Sequence, residues 1–124
     1  MAEVKSFLLG RVAVCEAAGI PRERLLLDPG FGFGKLLDHN LALFASLDAF
    51  VASGFPILVG VSRKGMIGQI LDRPVDQRLN GGLAAAALAV SMGAKLIRTH
   101  DVQATVEAVK FATAVRRVRT GIRG

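Results

Sequence analysis

Polar side chains that could bind an anion and a flat polar ring follow three short apolar runs of the sequence. The set combines one carboxylate, several cations and one imidazole. In parallel α/β proteins, ligands bind beyond the carboxyl ends of the strands, where such side chains converge. We therefore predict a binding site formed by Asp28, Ser62, Arg63, Lys64, Arg98 and His100.

Helix capping is the alternative explanation for polar residues that follow strands. Ser62 and Asp101 have side chains suited to the N-cap position. The cationic members of the set are poor N-caps, because positive charge at a helix N-terminus opposes the macrodipole. An anionic ligand would remove that conflict. We therefore favour a binding site, with Ser62 left open as a possible cap.

A glycine-rich loop occupies residues 30–35, directly after the first apolar run. It fails the P-loop pattern because Pro29 stands in place of the first Gly, and it fails the dinucleotide fingerprint because Lys35 replaces the last Gly. Its glycines still predict an unusual backbone path. Phe31 and Phe33 could be core residues or walls beside a flat ring, and the sequence favours neither.

The elements that must position these residues can be read from the apolar pattern. Residues 25–27, 57–61 and 95–97 form nearly continuous apolar runs, typical of strands covered on both faces. Helical patterns precede, separate and follow these runs, at residues 4–18, 39–52, 79–92 and 102–119, with Asp38 and Asp101 as expected N-caps of the second and the last. The order is α-β-α-β-α-β-α. It predicts a parallel sheet, either doubly wound or part of a (β/α)8 barrel.

Composition restricts the class of protein. The 124 residues suit one domain, and 52% hydrophobic with 21% charged residues is typical of a globular chain. Cys15 is the only cysteine, which excludes an internal disulfide and suits a packing role in a reducing compartment. The longest apolar stretch, residues 83–94, is too short to span a membrane. We expect a cytoplasmic protein with no membrane partner.

The net charge of +6 is concentrated near the C-terminus. Such a basic segment could bind nucleic acid, but cations also suit the end of a helix. No aromatic platform accompanies it, so we expect a solvated helix end and no nucleic-acid partner. The residues concerned are Arg116, Arg117, Arg119 and Arg123.

Three segments together resemble the signatures of dihydropteroate synthases. They read Asp-Pro-Gly-Phe-Gly-Phe-Gly-Lys at 28–35, Gly-Val-Ser-Arg-Lys at 60–64 and Arg-Thr-His-Asp at 98–101. Their order and approximate spacing are those of the family. The resemblance implies a (β/α)8 TIM barrel, in which residues 1–124 form a partial pterin-binding domain from the fifth to the eighth helix. The three strands would be the sixth to the eighth.

The resemblance also implies roles for individual residues. The family condenses 6-hydroxymethyl-7,8-dihydropterin pyrophosphate with p-aminobenzoate, which gives dihydropteroate and pyrophosphate. The implied pterin contacts are Asp28, Lys64, Gly60 and Phe33. The implied p-aminobenzoate region is Ser62, Arg63 and Gly65, and the implied pyrophosphate clamp is Arg98 and His100, with Lys64, Arg98 and His100 as the catalytic set. Magnesium (Mg2+) would be a cofactor whose ligand lies in the first five strands, with no metal ligand among residues 1–124.

Other expectations follow from the same resemblance. Many family members have Ser where this chain has Gly65, so the hydroxyl contact to p-aminobenzoate cannot form here. The helices after Gly34 would form a homodimer interface. Two alternatives stay open: a truncated chain that acts only by dimerisation, and a fragment of a pterin-dependent methyltransferase barrel. The second would have less use for the anion clamp of Arg98 and His100.

Overall fold

The computed structural model describes residues 2–31, 37–62 and 64–121. The described helices are α1 (Ala2–Ala17), α2 (Leu37–Ala45), α3 (Leu47–Val51), α4 (Gly65–Leu71), α5 (Leu79–Ser91) and α6 (Val102–Arg119). The strands are β1 (Leu58–Val59) and β2 (Leu96–Ile97), and short 3-10 turns occupy Arg22–Arg24 and Val75–Gln77.

Three of the four predicted helices are confirmed within two residues. α1 ends just before Gly19, whose φ of 95° suits a residue without a side chain. α5 likewise ends near Gly93, at φ 106°. Asp101 occupies the N-cap position of α6 but makes no capping hydrogen bond with its side chain. Instead, its backbone N–H donates to Thr99 Oγ1 at 3.0 Å.

The helix predicted over residues 39–52 has approximately the right bounds, but its predicted N-cap and its predicted continuity are wrong. The helix begins at Leu37, so Asp38 lies in its first turn and is not the N-cap. It is also interrupted at Ser46, whose φ of −101° and ψ of 14° separate α2 from α3. Leu43 before the interruption and Leu47 after it are both buried. Residues four positions apart lie on one face of a helix, so the apolar spacing is the same with or without the interruption.

The sheet is parallel and small. β1 pairs with β2 in the register Leu58–Leu96 and Val59–Ile97. The first apolar run contributes one parallel bridge between Leu27 and Ile57, with Leu27 N donating to Pro56 O at 2.9 Å. The predicted strand over residues 25–27 is therefore not confirmed as a third strand. The run nevertheless lies beside β1 in the parallel direction.

The core joins this sheet to the helices that cover it. Among the largest fully buried side chains are Ile57 and Val59 from the sheet and Phe50 from α3. Phe31 is only 1% exposed, and its ring centroid lies 5.5 Å from that of Phe44. Phe31 is therefore a core residue, and the alternative of a ligand wall does not hold for it. Phe33 lies outside the described residues.

The basic C-terminal segment has a structural partner. Arg116 Nη1 donates to the carbonyl oxygen of Ser91 at 2.8 Å, at the C-terminus of α5. Arg119 Nη1 approaches Ser91 Oγ at 3.4 Å. Cations suit this position because the last carbonyls of a helix carry partial negative charge. Part of the positive charge therefore joins α6 to α5, while Arg123 lies outside the described residues. None of the described helices is long and apolar enough to cross a membrane.

Candidate functional site

The segments that follow the three apolar runs meet at one edge of the sheet, because all three runs are parallel. Asp28 Oδ2 lies 3.9 Å from Arg98 Nη1. The Asp28 side chain is 32% exposed and that of Arg98 is 56% exposed. An exposed ion pair of this length adds at most about 1 kcal/mol to stability. Both groups are therefore accessible to a ligand that could replace the pair.

One side of the Asp28 carboxylate is fixed by the following turn. Gly30 N–H donates to Asp28 Oδ1 at 2.9 Å, and Gly30 has a φ of 77°. A side chain at Gly30 would be strained at this φ, which explains a glycine at the start of the loop. The second carboxylate oxygen, Oδ2, faces Arg98. The turn thus orients an acceptor towards the shared edge.

Arg98 lies across the backbone at Gly60. A Cβ atom added to Gly60 would be 2.7 Å from Arg98 Nη2 and 2.9 Å from Arg98 Nε. Gly60 is buried, so the guanidinium covers a place where the neighbouring strand has no side chain. The glycine therefore allows the close approach of Arg98 that brings it beside Asp28. Two of the four residues predicted to contact the pterin, Asp28 and Gly60, therefore lie beside the guanidinium of Arg98.

Ser62 joins the ends of β1 and β2. Its Oγ accepts the backbone N–H of His100 at 3.0 Å and lies 3.1 Å from His100 Nδ1. Thr99 Oγ1 donates to it at 3.3 Å. The N-cap of α4 is Lys64, so the alternative of Ser62 as a helix cap is wrong. Its hydroxyl is engaged across the sheet because β1 and β2 end side by side.

Sequence reasoning missed Thr99 and Thr105. Thr99 Oγ1 lies 3.0 Å from Thr105 Oγ1, and Thr105 is 5% exposed in the first turn of α6. Thr99 stood inside the Arg-Thr-His-Asp segment and could have been noticed there. Thr105 carried no local signal, because a threonine hydroxyl in a helix can also bond to its own helix backbone, and the sequence does not show which partner it has.

Lys64 reaches the loop that follows Asp28. Its Nζ donates to the carbonyl oxygen of Phe31 at 2.9 Å. This contact brings the ammonium group to the same turn as the Asp28 carboxylate. Lys64 and Asp28, which are both predicted to bind the pterin, are therefore brought near each other by the segment 28–31.

The residues predicted to form the p-aminobenzoate region are described only in part. Arg63 lies outside the described residues. Gly65 is exposed at the first residue of α4, and a Cβ there would meet no described atom within 4 Å. An open cavity of about 610 Å³ adjoins Gly65, lined also by Met66, Gln69, Arg73 and Arg78 among others. Asp28, Arg98 and His100 do not line this cavity.

Side chains of the metal-binding types do not cluster in the described part of the chain. No group of three or more His, Cys, Asp or Glu residues that could hold a metal ion occurs among the described residues. The magnesium cofactor, with its ligand in the first five strands, stays a prediction from the family resemblance.

The edge can therefore perform two kinds of recognition. Asp28 offers carboxylate oxygens to a ligand with neighbouring N–H donors. Arg98, His100 and Lys64 offer donors to an anion or to carbonyl oxygen. The arrangement suits a ligand that combines a donor-rich ring with an anionic group.

Comparison with known proteins finds matches to one enzyme family. A family model described as pterin binding enzyme matches residues 1–100. The dihydropteroate synthase of Escherichia coli (strain K12) is 52% identical over 113 residues, which are 91% of this chain and 40% of that protein. The chain thus spans about 40% of the length of curated relatives that it matches.

Solved structures agree with the sequence match. A dihydropteroate synthase from Coxiella burnetii, in complex with pteroic acid, superposes with a TM-score of 0.92 at 48% identity. The match covers 94% of this chain and 43% of that one. The enzyme from Xanthomonas albilineans, in complex with 7,8-dihydropteroate, gives a TM-score of 0.89 at 46% identity, covering 93% of this chain and 46% of that one.

These matches identify the fold as the TIM-barrel type, although only part of such a barrel is spanned. The chain belongs to the pterin binding enzyme family, and within it resembles dihydropteroate synthases, which are transferases of folate biosynthesis.

Proposed function

We propose that this chain carries the pterin and pyrophosphate contacts of a dihydropteroate synthase. The reaction joins 6-hydroxymethyl-7,8-dihydropterin pyrophosphate to p-aminobenzoate and releases pyrophosphate. The observation that carries the proposal is the meeting of Asp28 and Arg98, 3.9 Å apart, at an edge that His100 and Lys64 also reach. These residues come from the three segments that resemble the family's signatures.

Asp28 is proposed to bind the pterin ring. The amino group and the adjacent ring N–H of a pterin form a two-donor edge, which a carboxylate accepts with both oxygens. The turn at Gly30 already orients one of those oxygens. Gly60 keeps the adjoining surface free of a side chain, and Phe33 and Lys64 complete the proposed pterin set. Lys64 would donate to the pterin carbonyl and a ring nitrogen.

Arg98 and His100 are proposed to hold the pyrophosphate. Negative charge grows on this leaving group as its bond to the pterin methylene breaks. Fixed donors at the leaving group stabilise that charge in the transition state. The exposed guanidinium of Arg98 can form two parallel hydrogen bonds to phosphate oxygens. Because Arg98 also lies beside Asp28, its guanidinium is positioned between the proposed pterin site and the proposed pyrophosphate site.

The second substrate is proposed to bind near Ser62, Arg63 and Gly65. The aromatic amine of p-aminobenzoate is unprotonated at neutral pH and is already nucleophilic. It therefore needs no dedicated strong base, and none is assigned. At Gly65 the backbone N–H groups at the start of α4 are the donors available for the substrate carboxylate. Magnesium and a cytoplasmic location stay predictions from the family resemblance.

We further propose that residues 1–124 correspond to the fifth through eighth helices of the family barrel, with the run at 25–27 completing a third strand. A second copy is the proposed partner for the helices after Gly34. Large apolar side chains on these helices are exposed, with Leu88 at 57% and Phe111 at 76%. A chain that only dimerises is the rival function. A methyltransferase barrel is disfavoured because it would not require the Arg98 and His100 pair.

Calorimetric titration of the purified chain with a pterin pyrophosphate analogue, with and without magnesium, tests the proposal. Asp28→Ala should weaken binding at least about 100-fold, because two charge-assisted hydrogen bonds are lost. Asp76→Ala, at an exposed residue remote from the site residues in the chain, should bind like the original protein. Absence of binding by the folded chain would contradict a preformed site and favour the dimerisation function.

Complementation separates the two functions independently. The chain is mixed with a polypeptide that comprises the first five strands of a dihydropteroate synthase, and dihydropteroate formation is measured. Activity that requires both polypeptides, and that Asp28→Ala abolishes, supports the transferase function. Self-association without any gain in activity supports the dimerisation function.

A further inference from the structure

Four side chains form a continuous hydrogen-bonded relay across the ends of β1 and β2. It runs from Thr105 to Thr99, then to Ser62, and ends at the imidazole of His100. The successive distances are 3.0 Å between the threonine oxygens, 3.3 Å from Thr99 to Ser62, and 3.1 Å from Ser62 Oγ to His100 Nδ1. The far end is anchored in the core, since Thr105 is 5% exposed, whereas His100 is exposed.

Counting protons gives this relay a direction. A hydroxyl has one proton to donate and two lone pairs. Thr99 Oγ1 donates its proton to Ser62 and accepts the backbone N–H of Asp101. Because that proton is used, the contact between Thr99 and Thr105 requires Thr105 to donate. Both acceptor positions of Thr99 are then filled.

The same count applied to Ser62 determines the state of the imidazole. Ser62 Oγ accepts from Thr99 Oγ1 and from the backbone N–H of His100, which uses both lone pairs. Only its own proton is left for the contact with His100 Nδ1. Nδ1 must then be the acceptor, and a neutral His100 carries its proton on Nε2.

We infer that Ser62 is a positioning residue that holds His100 in the Nε2–H tautomer, so that Nε2–H is presented as a donor to a phosphate oxygen of the leaving pyrophosphate. The inference deepens the proposed function and rests on it for the identity of the anion. It moves Ser62 from the p-aminobenzoate region to the pyrophosphate clamp. Ser62 acts on the anion only through His100.

The tautomer has a consequence for the chemistry of the clamp. A neutral imidazole with the opposite tautomer would present a lone pair at Nε2, which repels a phosphate oxygen. The relay removes that unproductive state before the ligand binds. His100 then supplies a directed hydrogen bond, while Arg98 supplies the positive charge. The two residues thus play different parts in holding one anion.

Nitrogen-15 NMR of the histidine rings tests the tautomer without any ligand, so its result does not depend on the proposed function. The spectra are recorded at an alkaline pH at which histidine side chains are neutral. We expect His100 to show only the Nε2–H form. His39, whose side chain is exposed on α2, is the internal control and should show both forms. A predominantly Nδ1–H form at His100 would overturn the inference.

Variants test whether the relay is the cause. Ser62→Ala should give His100 the same mixture as His39, whereas Ser62→Thr retains the hydroxyl and should preserve the single tautomer. Thr99→Val removes the donor to Ser62 but keeps Ser62, and it should also admit the Nδ1–H form. An unchanged tautomer in folded Ser62→Ala and Thr99→Val would overturn the inference.

Pyrophosphate binding provides the functional measurement. Titration with inorganic pyrophosphate should show about fivefold weaker binding for Ser62→Ala, the effect of one hydrogen bond, and an affinity within about twofold of the original for Ser62→Thr. A single tautomer combined with no pyrophosphate binding in the original chain would refute the anion assignment of the proposed function, while the relay itself would stand. Equal pyrophosphate affinity in Ser62→Ala and the original chain would refute the positioning role.

Discussion

The strand-end residues and the helical layer of α4, α5 and α6 are held in place by different forces. At the strand ends, Arg98 is more than half exposed and is oriented by a long ion pair and by its contact with the backbone at Gly60. In the helical layer, Ala85 and Ala89 of α5 are buried in the apolar core. The first region depends on polar contacts that a ligand can replace. The second depends on close packing, which tolerates little added volume.

This difference predicts that substitutions separate cleanly into two classes. Added volume in the helical layer should lower stability and leave the site chemistry unchanged. Added volume at the strand ends should displace an exposed polar group and weaken ligand binding at little cost to stability. Glycines occur in both regions and provide matched tests.

The largest effect is expected for Gly81→Ala in α5. A Cβ at Gly81 would be 2.5 Å from Ile67 Cγ2 and 2.8 Å from Leu71 Cδ1. Ile67 is 4% exposed, and its Cγ2 is attached directly to the branched Cβ, so it cannot swing aside as the end of a flexible side chain could. The free energy of unfolding should therefore fall by about 2 kcal/mol. Gly82→Ala is the control, since its Cβ would lie 4.0 Å from Ile67 Cδ1. It should raise stability by about 0.5–1 kcal/mol through helix propensity. Urea unfolding measures both, and equal midpoints would contradict the packing argument.

The next effect is expected for Gly60→Ala at the strand ends. The new methyl group would occupy the position of the Arg98 guanidinium, which is exposed and can move away. Pyrophosphate affinity should fall about tenfold, as one charge-assisted contact is lost, and stability should change by less than about 0.5 kcal/mol. Gly10→Ala, on α1 with no described atom within 4 Å of its Cβ, is the control for affinity. Unchanged affinity in Gly60→Ala would break the proposed link between Gly60 and Arg98.

A smaller effect is expected for Arg116→Gln in the helical layer. The substitution removes the hydrogen bond from Arg116 Nη1 to the C-terminal carbonyl of α5 at Ser91. Unfolding free energy should fall by about 1 kcal/mol, with no change in ligand affinity. Arg117→Gln, at the exposed neighbouring residue, removes the same charge and should change stability by less than about 0.5 kcal/mol. Equal losses of unfolding free energy in the two variants would show that removal of the positive charge, and not of the hydrogen bond to Ser91, lowers stability.

The smallest effect is expected for Gly65→Ser. The side chain fits, because no described atom lies within 4 Å of the added Cβ. The hydroxyl should strengthen p-aminobenzoate binding about threefold in the complemented barrel, through one hydrogen bond at the start of α4. Gly65→Ala adds the Cβ without the hydroxyl and should leave affinity unchanged. The pair is compared by competition calorimetry, and a gain with Ala as large as with Ser would contradict the hydroxyl contact.

Sequence reasoning reached furthest where a local signal coincided with the tertiary arrangement. The helix at residues 102–119 was placed correctly because its apolar spacing and its packing on α5 agree. The helix over 39–52 was wrongly predicted as continuous, because Ser46 leaves the helical conformation. The apolar spacing gives no sign of this, since Leu43 and Leu47 fall on one face of a helix with or without the interruption. The run at 25–27 had the composition of a strand but forms only one bridge, since strand pairing depends on neighbours and not on composition.

By itself, the sequence determined which side chains stand at the carboxyl ends of the apolar runs. Parallel pairing alone then required Asp28, Arg98 and His100 to meet at one edge. Only the tertiary structure decided how they meet: that Arg98 crosses Gly60, that Lys64 contacts Phe31, and that Ser62 bonds to His100 and is not a helix cap. Such contacts join residues more than 30 positions apart. Hydrogen-bond geometry is sensitive to tenths of an ångström, and only the packed core sets distances that finely.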